Sequence, residues 1–186
     1  MCSTSSPLAA RWAPTSSRTR HRQGGVHGRE GRTIAETCGR LLRPVTLELG
    51  GKSAAIVLDD ADLGSNTESF FGATLLNNGQ TCFLSTRVLA PRSRYDEIVE
   101  TVTALASNLV VGDALDPRTQ IGPMVSARQR ERVESYIAKG RAEGARITTG
   151  GGRPDRRGFF VTPTVFADVD NKHTIAQEEI FGRCSP

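Results

Sequence analysis

Two short segments of this chain contain residues that together could perform covalent catalysis. Cys82 follows the glycine-containing turn Asn78–Gln80, and a thiol becomes a strong nucleophile once it has lost its proton. Glu48 stands 34 positions earlier, between Leu47 and Leu49, and a carboxyl group in an apolar setting suits the role of a general base. A fold that brings this thiol and this carboxylate together would create a nucleophile and its base.

Both residues also have ordinary structural interpretations. A free cysteine is most often a small buried hydrophobe, and a glutamate on a half-buried strand can simply alternate outward. The polar loop before Cys82 favours the functional interpretation, because the Cys82 backbone N–H can then point at the oxygen of an attacked carbonyl group. Histidine is the usual partner of a catalytic thiol, but His21 and His27 lie in the basic start and His173 lies near the other end. Glu48 is therefore the better candidate base.

The segments around these two residues resemble the aldehyde dehydrogenase superfamily, and the resemblance runs from about Gly31 to Gly182. It is carried by Glu-Leu-Gly-Gly-Lys-Ser at 48–53, by Gly-Gln-Thr-Cys at 79–82, and by Glu-Glu-Ile-Phe-Gly at 178–182. Arg87, five residues after the cysteine, also matches the family pattern. In this family the first motif supplies the general base and the second supplies the nucleophile, which implies these roles for Glu48 and Cys82.

The resemblance implies oxidation of an aldehyde to a carboxylic acid, through a thiohemiacetal and a thioester on Cys82, with NAD or NADP as the cofactor. It implies that Glu179 holds the hydroxyls of the nicotinamide ribose and that Phe181 packs near the nicotinamide. The remaining cofactor-binding residues that it implies are Gly31, Leu49 and Gly50. Full-length members of the family are homo-oligomers.

The same resemblance predicts an incomplete protein. The family's Gly-Ser-Thr-x-x-Gly helix start is represented only by Gly31, and the asparagine that completes the oxyanion site lies upstream in the family. We expect residues 1–30 to be an unrelated, disordered basic tail, residues 31–50 a remnant of the cofactor-binding domain, and residues 51–186 a C-terminally truncated catalytic domain. A truncated or frame-disrupted gene product would explain why the resemblance stops abruptly at both of its ends. Two alternatives to the dehydrogenase activity are an inactive fragment and a cofactor-independent thiol esterase.

Charge and cysteine content exclude several other classes of protein. The net charge of +4 arises at the start: residues 1–29 contain five arginines and no acid, and the rest contain 19 basic and 20 acidic side chains. A nearly neutral body has no electrostatic reason to bind nucleic acid. Four scattered cysteines without a Cys-x-x-Cys motif predict neither a disulfide framework nor a metal site. No apolar run has the ~20 residues that span a bilayer, so we do not expect a membrane protein. We expect the scattered cysteines to be reduced, which predicts a cytoplasmic location. The partner that the family resemblance implies is a small aldehyde.

Hydrophobic periodicity predicts the elements that would position the site. Helical spacing covers 33–42, 61–77, 95–109 and a segment after Ser126, which is a good N-cap. Strand-like runs cover 45–49, 54–58, 87–90, 145–149 and 159–166. This alternation predicts an α/β fold with an open, largely parallel sheet and flanking helices, as in the aldehyde dehydrogenase catalytic domain. Gln129 and Arg132 are expected on a helix surface.

Overall fold

The computed structural model describes residues 26–182 and 184–185. The chain divides into two compact units, residues 1–50 and residues 51–186, and each is described by itself. The predicted disorder of the tail falls mainly on residues 1–25, outside the described residues. Residues 26–30, which the sequence assigned to that tail, have a helical backbone.

The first unit contains one helix, α1 (Val26–Arg40), among its described residues. It begins seven residues before the predicted start at Thr33, since glycines at 28 and 31 lower helix propensity without preventing a helix. It ends in a Schellman-type turn: the Arg43 N–H donates to the Cys38 carbonyl at 2.9 Å, and Leu42 adopts a φ of 52°. Pro44 then prevents the helix from continuing.

The strand predicted at 45–49 is absent. Residues 43–53 have no regular structure, and residues 41–50 are all exposed. A strand needs a neighbour to accept its backbone hydrogen bonds, and no strand in the described part of the chain pairs with this segment. Apolar spacing alone therefore gave the wrong prediction here.

The second unit contains five short strands and four helices among its described residues. The strands are β1 (Ala54–Ile56), β2 (Arg87–Leu89), β3 (Arg146–Thr149), β4 (Thr164–Ala167) and β5 (Cys184–Ser185). The helices are α2 (Thr67–Thr74), α3 (Tyr95–Ser107), α4 (Ala127–Ala142) and α5 (Thr174–Gln177), with 3₁₀ turns at Leu76–Gly79 and Arg92–Arg94.

The strands form two small sheets. β1 pairs with β2 in parallel, with Ala54 opposite Arg87 and Ile56 opposite Leu89. In the other sheet β4 lies between β3 and β5, antiparallel to β3 and parallel to β5. The predicted α/β class with mostly parallel pairing is confirmed.

Two apolar clusters share β4, whose four residues are all buried. Because neighbouring residues of a strand point to opposite faces, Val165 packs in one cluster and Phe166 in the other. The Val165 cluster also contains Leu75, Ile98, Val102, Ala106 and Ile121. The Phe166 cluster also contains Met124, Val133, Tyr136, Ile137, Ile175 and Ile180. The strand thus joins α3 on one side to α4 and α5 on the other.

The helices of this unit confirm the periodicity in two cases and correct it in a third. α3 buries Ile98, Val102 and Ala106 at helical spacing, as predicted. The Ser126 hydroxyl accepts from the Gln129 N–H at 3.1 Å, which confirms the N-cap of α4. The helix predicted over 61–77 extends only over Thr67–Thr74. The Asp62 carboxylate accepts a hydrogen bond from the Ser65 N–H at 3.1 Å. Such local side-chain bonds compete with the backbone hydrogen bonds of a helix.

None of the helices in the described part of the chain has the length and apolar content needed to cross a bilayer.

Candidate active site

Cys82 lies on a tight loop that returns from α2 toward β2. Three consecutive residues before it, Asn77, Asn78 and Gly79, have φ values of 50°, 59° and 72°. Asparagine and glycine tolerate this left-handed conformation better than other residues. After the loop, the Ser85 N–H donates to the Ala73 carbonyl of α2 at 2.8 Å, and Leu84 is only 2% exposed. Cys82 itself is half-buried and lies just before these two contacts.

The asparagine and glutamine side chains of this loop attach it to the segment before α4. Asn78 Oδ1 accepts from the Gly122 N–H at 2.8 Å, and its Nδ2 donates to the Pro123 carbonyl at 3.2 Å. Gln80 Oε1 accepts from the Val125 N–H at 3.2 Å. Sequence reasoning treated residues 77–80 only as a polar loop and missed this positioning function. Two adjacent asparagines before a glycine were the available signal, because asparagine often occupies left-handed turns and bonds to backbone groups.

Asn78→Ala is expected to destabilise the second unit by about 1–3 kcal/mol. The change leaves the Gly122 N–H and the Pro123 carbonyl without a partner and places alanine at a φ of 59°. The free energy of unfolding in urea measures the loss. Asn108→Ala is the matched control because Asn108 is an exposed asparagine that ends α3 at a φ of −84°. Equal stability of the two variants would contradict the positioning function of Asn78.

The loop of Cys82 and residues about 100 positions later in the chain line one narrow cleft. Its lining consists of Gly51, Gly79, Thr81, Leu84, Thr86, Glu179, Ile180, Phe181 and Gly182. Thr81, which directly precedes Cys82, contributes a buried hydroxyl that has no hydrogen-bond partner among the described residues. Glu179 and Phe181, the two predicted cofactor-binding residues of the second unit, therefore line the same cleft as the neighbour of the predicted nucleophile.

Helix α4 binds the backbone of residues 179–181, which line the cleft, through two polar side chains. Gln129 Nε2 donates to the Phe181 carbonyl at 2.6 Å. Arg132 donates from Nε to the Ile180 carbonyl at 3.1 Å and from Nη2 to the Glu179 carbonyl at 2.6 Å. The expectation that Gln129 and Arg132 lie on a helix surface was wrong: both are half-buried. Periodicity ranks residues by hydrophobicity, so it cannot identify polar side chains that turn inward to bind carbonyl groups.

The predicted residues of the first unit lie around α1. Gly31 is buried, and a Cβ atom there would meet Leu49 Cδ2 at 2.8 Å, so a larger residue would displace the Leu49 side chain. Glu48 and Gly50 are exposed on the irregular segment that follows α1. The apolar setting expected for Glu48 is thus absent within this unit. Because the two units are described separately, the pairing of Glu48 with Cys82 stays a prediction.

Among the described residues, no three His, Cys, Asp or Glu side chains are arranged to hold a metal ion. The chemistry that the second unit offers is that of a half-buried thiol beside a cleft with a carboxylate and an aromatic ring.

Comparison with known proteins gives a consistent result. The model of the aldehyde dehydrogenase family matches residues 28–184. The chain is 60% identical over 153 residues to the geranial dehydrogenase of Castellaniella defragrans and 48% identical over 159 residues to betaine aldehyde dehydrogenase 1 of Rhizobium meliloti. In both cases the match covers 82% of this chain and 32% of the relative.

Solved structures agree with these relatives. The Mycobacterium tuberculosis aldehyde dehydrogenase complexed with NAD⁺ is 57% identical with a TM-score of 0.79, and the match covers 83% of this chain and 32% of that one. The C291A mutant of aldehyde dehydrogenase C from Pseudomonas syringae, complexed with NAD⁺ and octanal, is 38% identical with a TM-score of 0.79. That match covers 84% of this chain and 33% of that one. The chain spans about a third of the length of the curated relatives it matches.

Proposed function

The chain belongs to the aldehyde dehydrogenase family, and from that premise we propose that it carries the nucleophile, the general base and the nicotinamide end of an NAD(P)⁺-dependent aldehyde oxidation. The observation that supports this most strongly is the cleft shared by Thr81, Glu179 and Phe181. It joins the loop of the thiol to the residues implied for the cofactor. A single unit thus contains the thiol and the residues implied to bind the nicotinamide end.

The proposed reaction begins at the Cys82 sulfur. The thiolate attacks the aldehyde carbon, a C–S bond forms, and the carbonyl electron pair moves to the oxygen. The Cys82 backbone N–H stabilises the oxyanion that results. Loss of hydride from the same carbon then leaves a thioester on Cys82. Bound NAD(P)⁺ supplies the hydride acceptor.

The second half of the proposed reaction requires a base. Glu48 takes a proton from a water molecule, the water oxygen attacks the thioester carbon, and the C–S bond breaks. The products are a carboxylic acid and the regenerated Cys82 thiolate. Glu48 lies on an exposed segment, where water reaches its carboxylate directly.

Two side chains that line the cleft have the chemistry that the nicotinamide end of the cofactor requires. A carboxylate at Glu179 can accept hydrogen bonds from ribose hydroxyls, and the Phe181 ring offers an apolar surface to a flat heterocycle. These residues would hold the nicotinamide ribose and ring.

The substrate that we propose is an apolar aldehyde. Phe83, directly after Cys82, is 63% exposed, and an exposed aromatic ring beside the nucleophile favours an apolar chain. The relative named geranial dehydrogenase shares more identity with this chain than the relative named betaine aldehyde dehydrogenase 1. NADH formation with geranial and with betaine aldehyde as alternative substrates tests the choice. A preference for the charged aldehyde would contradict it.

Glu48→Gln is expected to separate the two halves of the reaction without any cofactor. With p-nitrophenyl acetate, the variant should keep the burst of p-nitrophenol that reports acylation of Cys82. Its steady-state rate, which reports hydrolysis of the thioester, should fall by about 10²-fold because the general base is lost. Glu36→Gln is the matched control, since Glu36 is an exposed acid on α1.

The burst with p-nitrophenyl acetate and a separate assay of NADH formation from aldehydes together decide between the alternatives. A burst without NADH formation from any aldehyde would favour the thiol esterase, and the absence of a burst would favour an inactive fragment. An unchanged steady-state rate in Glu48→Gln would remove Glu48 from the proposed mechanism.

A further inference from the structure

The motif at 178–182 contains two adjacent acids, and only Glu179 lines the cleft. We propose that Arg132 and Tyr136 of α4 are positioning residues that determine which of the two acids faces the cofactor. This inference rests on the proposed function for the identity of the ligand. Its structural content, the register of residues 178–181, depends only on contacts within the second unit.

Arg132 holds the backbone of the motif at residues 179 and 180. Its Nε and Nη2 atoms donate to two successive carbonyl groups, those of Ile180 and Glu179, at 3.1 and 2.6 Å. A guanidinium presents several N–H groups in one rigid plane and can bind two acceptors at once, which a lysine ammonium on a flexible chain does less well. Two bonds to adjacent carbonyl groups fix the direction of the peptide between them.

Tyr136 holds the side chain of the first acid, Glu178. The Tyr136 side chain is fully buried, and its hydroxyl donates to Glu178 Oε2 at 2.6 Å. Burial raises the pKa of the Tyr136 hydroxyl, and the hydrogen bond to Glu178 raises it further, so the hydroxyl stays protonated and remains a donor. The Arg132 guanidinium lies 5.1 Å from the centroid of the Tyr136 ring, which links the two positioning residues.

These contacts have a geometric consequence for Glu179. Glu178 has an extended backbone, with φ −112° and ψ 142°, and neighbouring side chains of an extended segment point in opposite directions. Fixing Glu178 against Tyr136 therefore directs Glu179 away from α4 and into the cleft. The bond from Gln129 Nε2 to the Phe181 carbonyl completes the hold on the segment, where Phe181 adopts a φ of 59°.

The test uses the 186-residue chain and four variants. Arg132→Met removes both donors, Arg132→Lys keeps the charge, and Tyr136→Phe removes only the hydroxyl. Arg128→Met is the control, because Arg128 is an exposed arginine on the same helix. Hydrogen–deuterium exchange of the peptide containing residues 178–182 is measured first, and it needs no nucleotide. We expect exchange to rise about tenfold in Arg132→Met, to rise by a smaller factor in Tyr136→Phe, and to stay unchanged in Arg128→Met.

Binding of nicotinamide mononucleotide, compared with the folded fraction of each variant, then separates positioning from general stability. Isothermal titration calorimetry with nicotinamide mononucleotide should show a Kd about tenfold higher in Arg132→Met and a partial recovery in Arg132→Lys. The folded fraction, measured by circular dichroism under the titration conditions, should not change. A loss of affinity that is matched by an equal loss of folded chain would mean that Arg132 acts only through stability and would overturn the inference.

The outcome also distinguishes a failure of the inference from a failure of the proposed function. If the unchanged chain binds no nicotinamide mononucleotide, the proposed ligand is wrong, and the exchange data still decide on the register. If exchange at 178–182 is unchanged in both Arg132→Met and Tyr136→Phe, the two residues do not position the segment, and the inference is overturned.

Discussion

Cys82→Ala is expected to abolish acylation of the chain by p-nitrophenyl acetate, with a loss of at least about 10³-fold in the rate of the burst. The proposed mechanism has only one sulfur that can form the covalent intermediate, and alanine removes it without adding bulk. Intact-protein mass spectrometry after the reaction measures the result directly, because an acetyl group on Cys82 adds to the mass of the unchanged chain and not to that of the variant.

Cys38→Ala is the matched control for this experiment. Cys38 is also a free, half-buried cysteine, but it lies on α1 of the first unit. Its removal should leave the burst unchanged. An acetylated Cys82→Ala protein, or a burst that is lost only in Cys38→Ala, would mean that the nucleophile has been assigned to the wrong residue.

Gly150→Ala is expected to lower the free energy of unfolding of the second unit by at least about 3 kcal/mol. Gly150 follows β3 and has a φ of 77°, where an L-residue with a side chain is strained. A Cβ atom there would lie 2.0 Å from the Pro163 carbonyl oxygen and 2.9 Å from the Thr164 Cα. Both are backbone atoms at the start of β4, so no side-chain rotation can relieve the overlap.

The consequence would extend beyond the turn. β4 pairs with both β3 and β5 and contributes to both apolar clusters, so displacing its first residues disturbs packing on two sides. Urea unfolding measures the change. Gly152→Ala is the control, because a Cβ atom at Gly152 meets nothing within 4 Å and its φ is not positive. Similar unfolding midpoints for the two variants would refute the argument from close approach.

Local patterns in the sequence predicted several elements of the second unit correctly. The amphipathic spacing of α3, the N-cap at Ser126 and the runs that form β1 and β2 depend on residues close together in the chain. For such elements the pattern of apolar side chains and the first hydrogen bonds of a helix are sufficient. The prediction failed at 45–49 and at the start of α2, where a strand lacked a partner and the Asp62 side chain competed with helical hydrogen bonds.

For the candidate site, too, some features follow from the sequence and others only from the tertiary structure. Residue types and spacing indicated two candidate groups, a thiol at Cys82 after a polar turn and a carboxylate at Glu48, and the family resemblance added Glu179 and Phe181 as predicted cofactor-binding residues. Only the tertiary structure decided that Thr81 and Glu179 line one cleft and that Asn78 attaches the cysteine loop to the segment before α4. Only the structure, too, placed Arg132 against the carbonyl groups of 179 and 180. The physical reason is that reactivity belongs to a side chain and its neighbours in sequence. Hydrogen bonds between residues more than 40 positions apart, and a cleft lined by residues about 100 positions apart, form only after the core has brought their elements together.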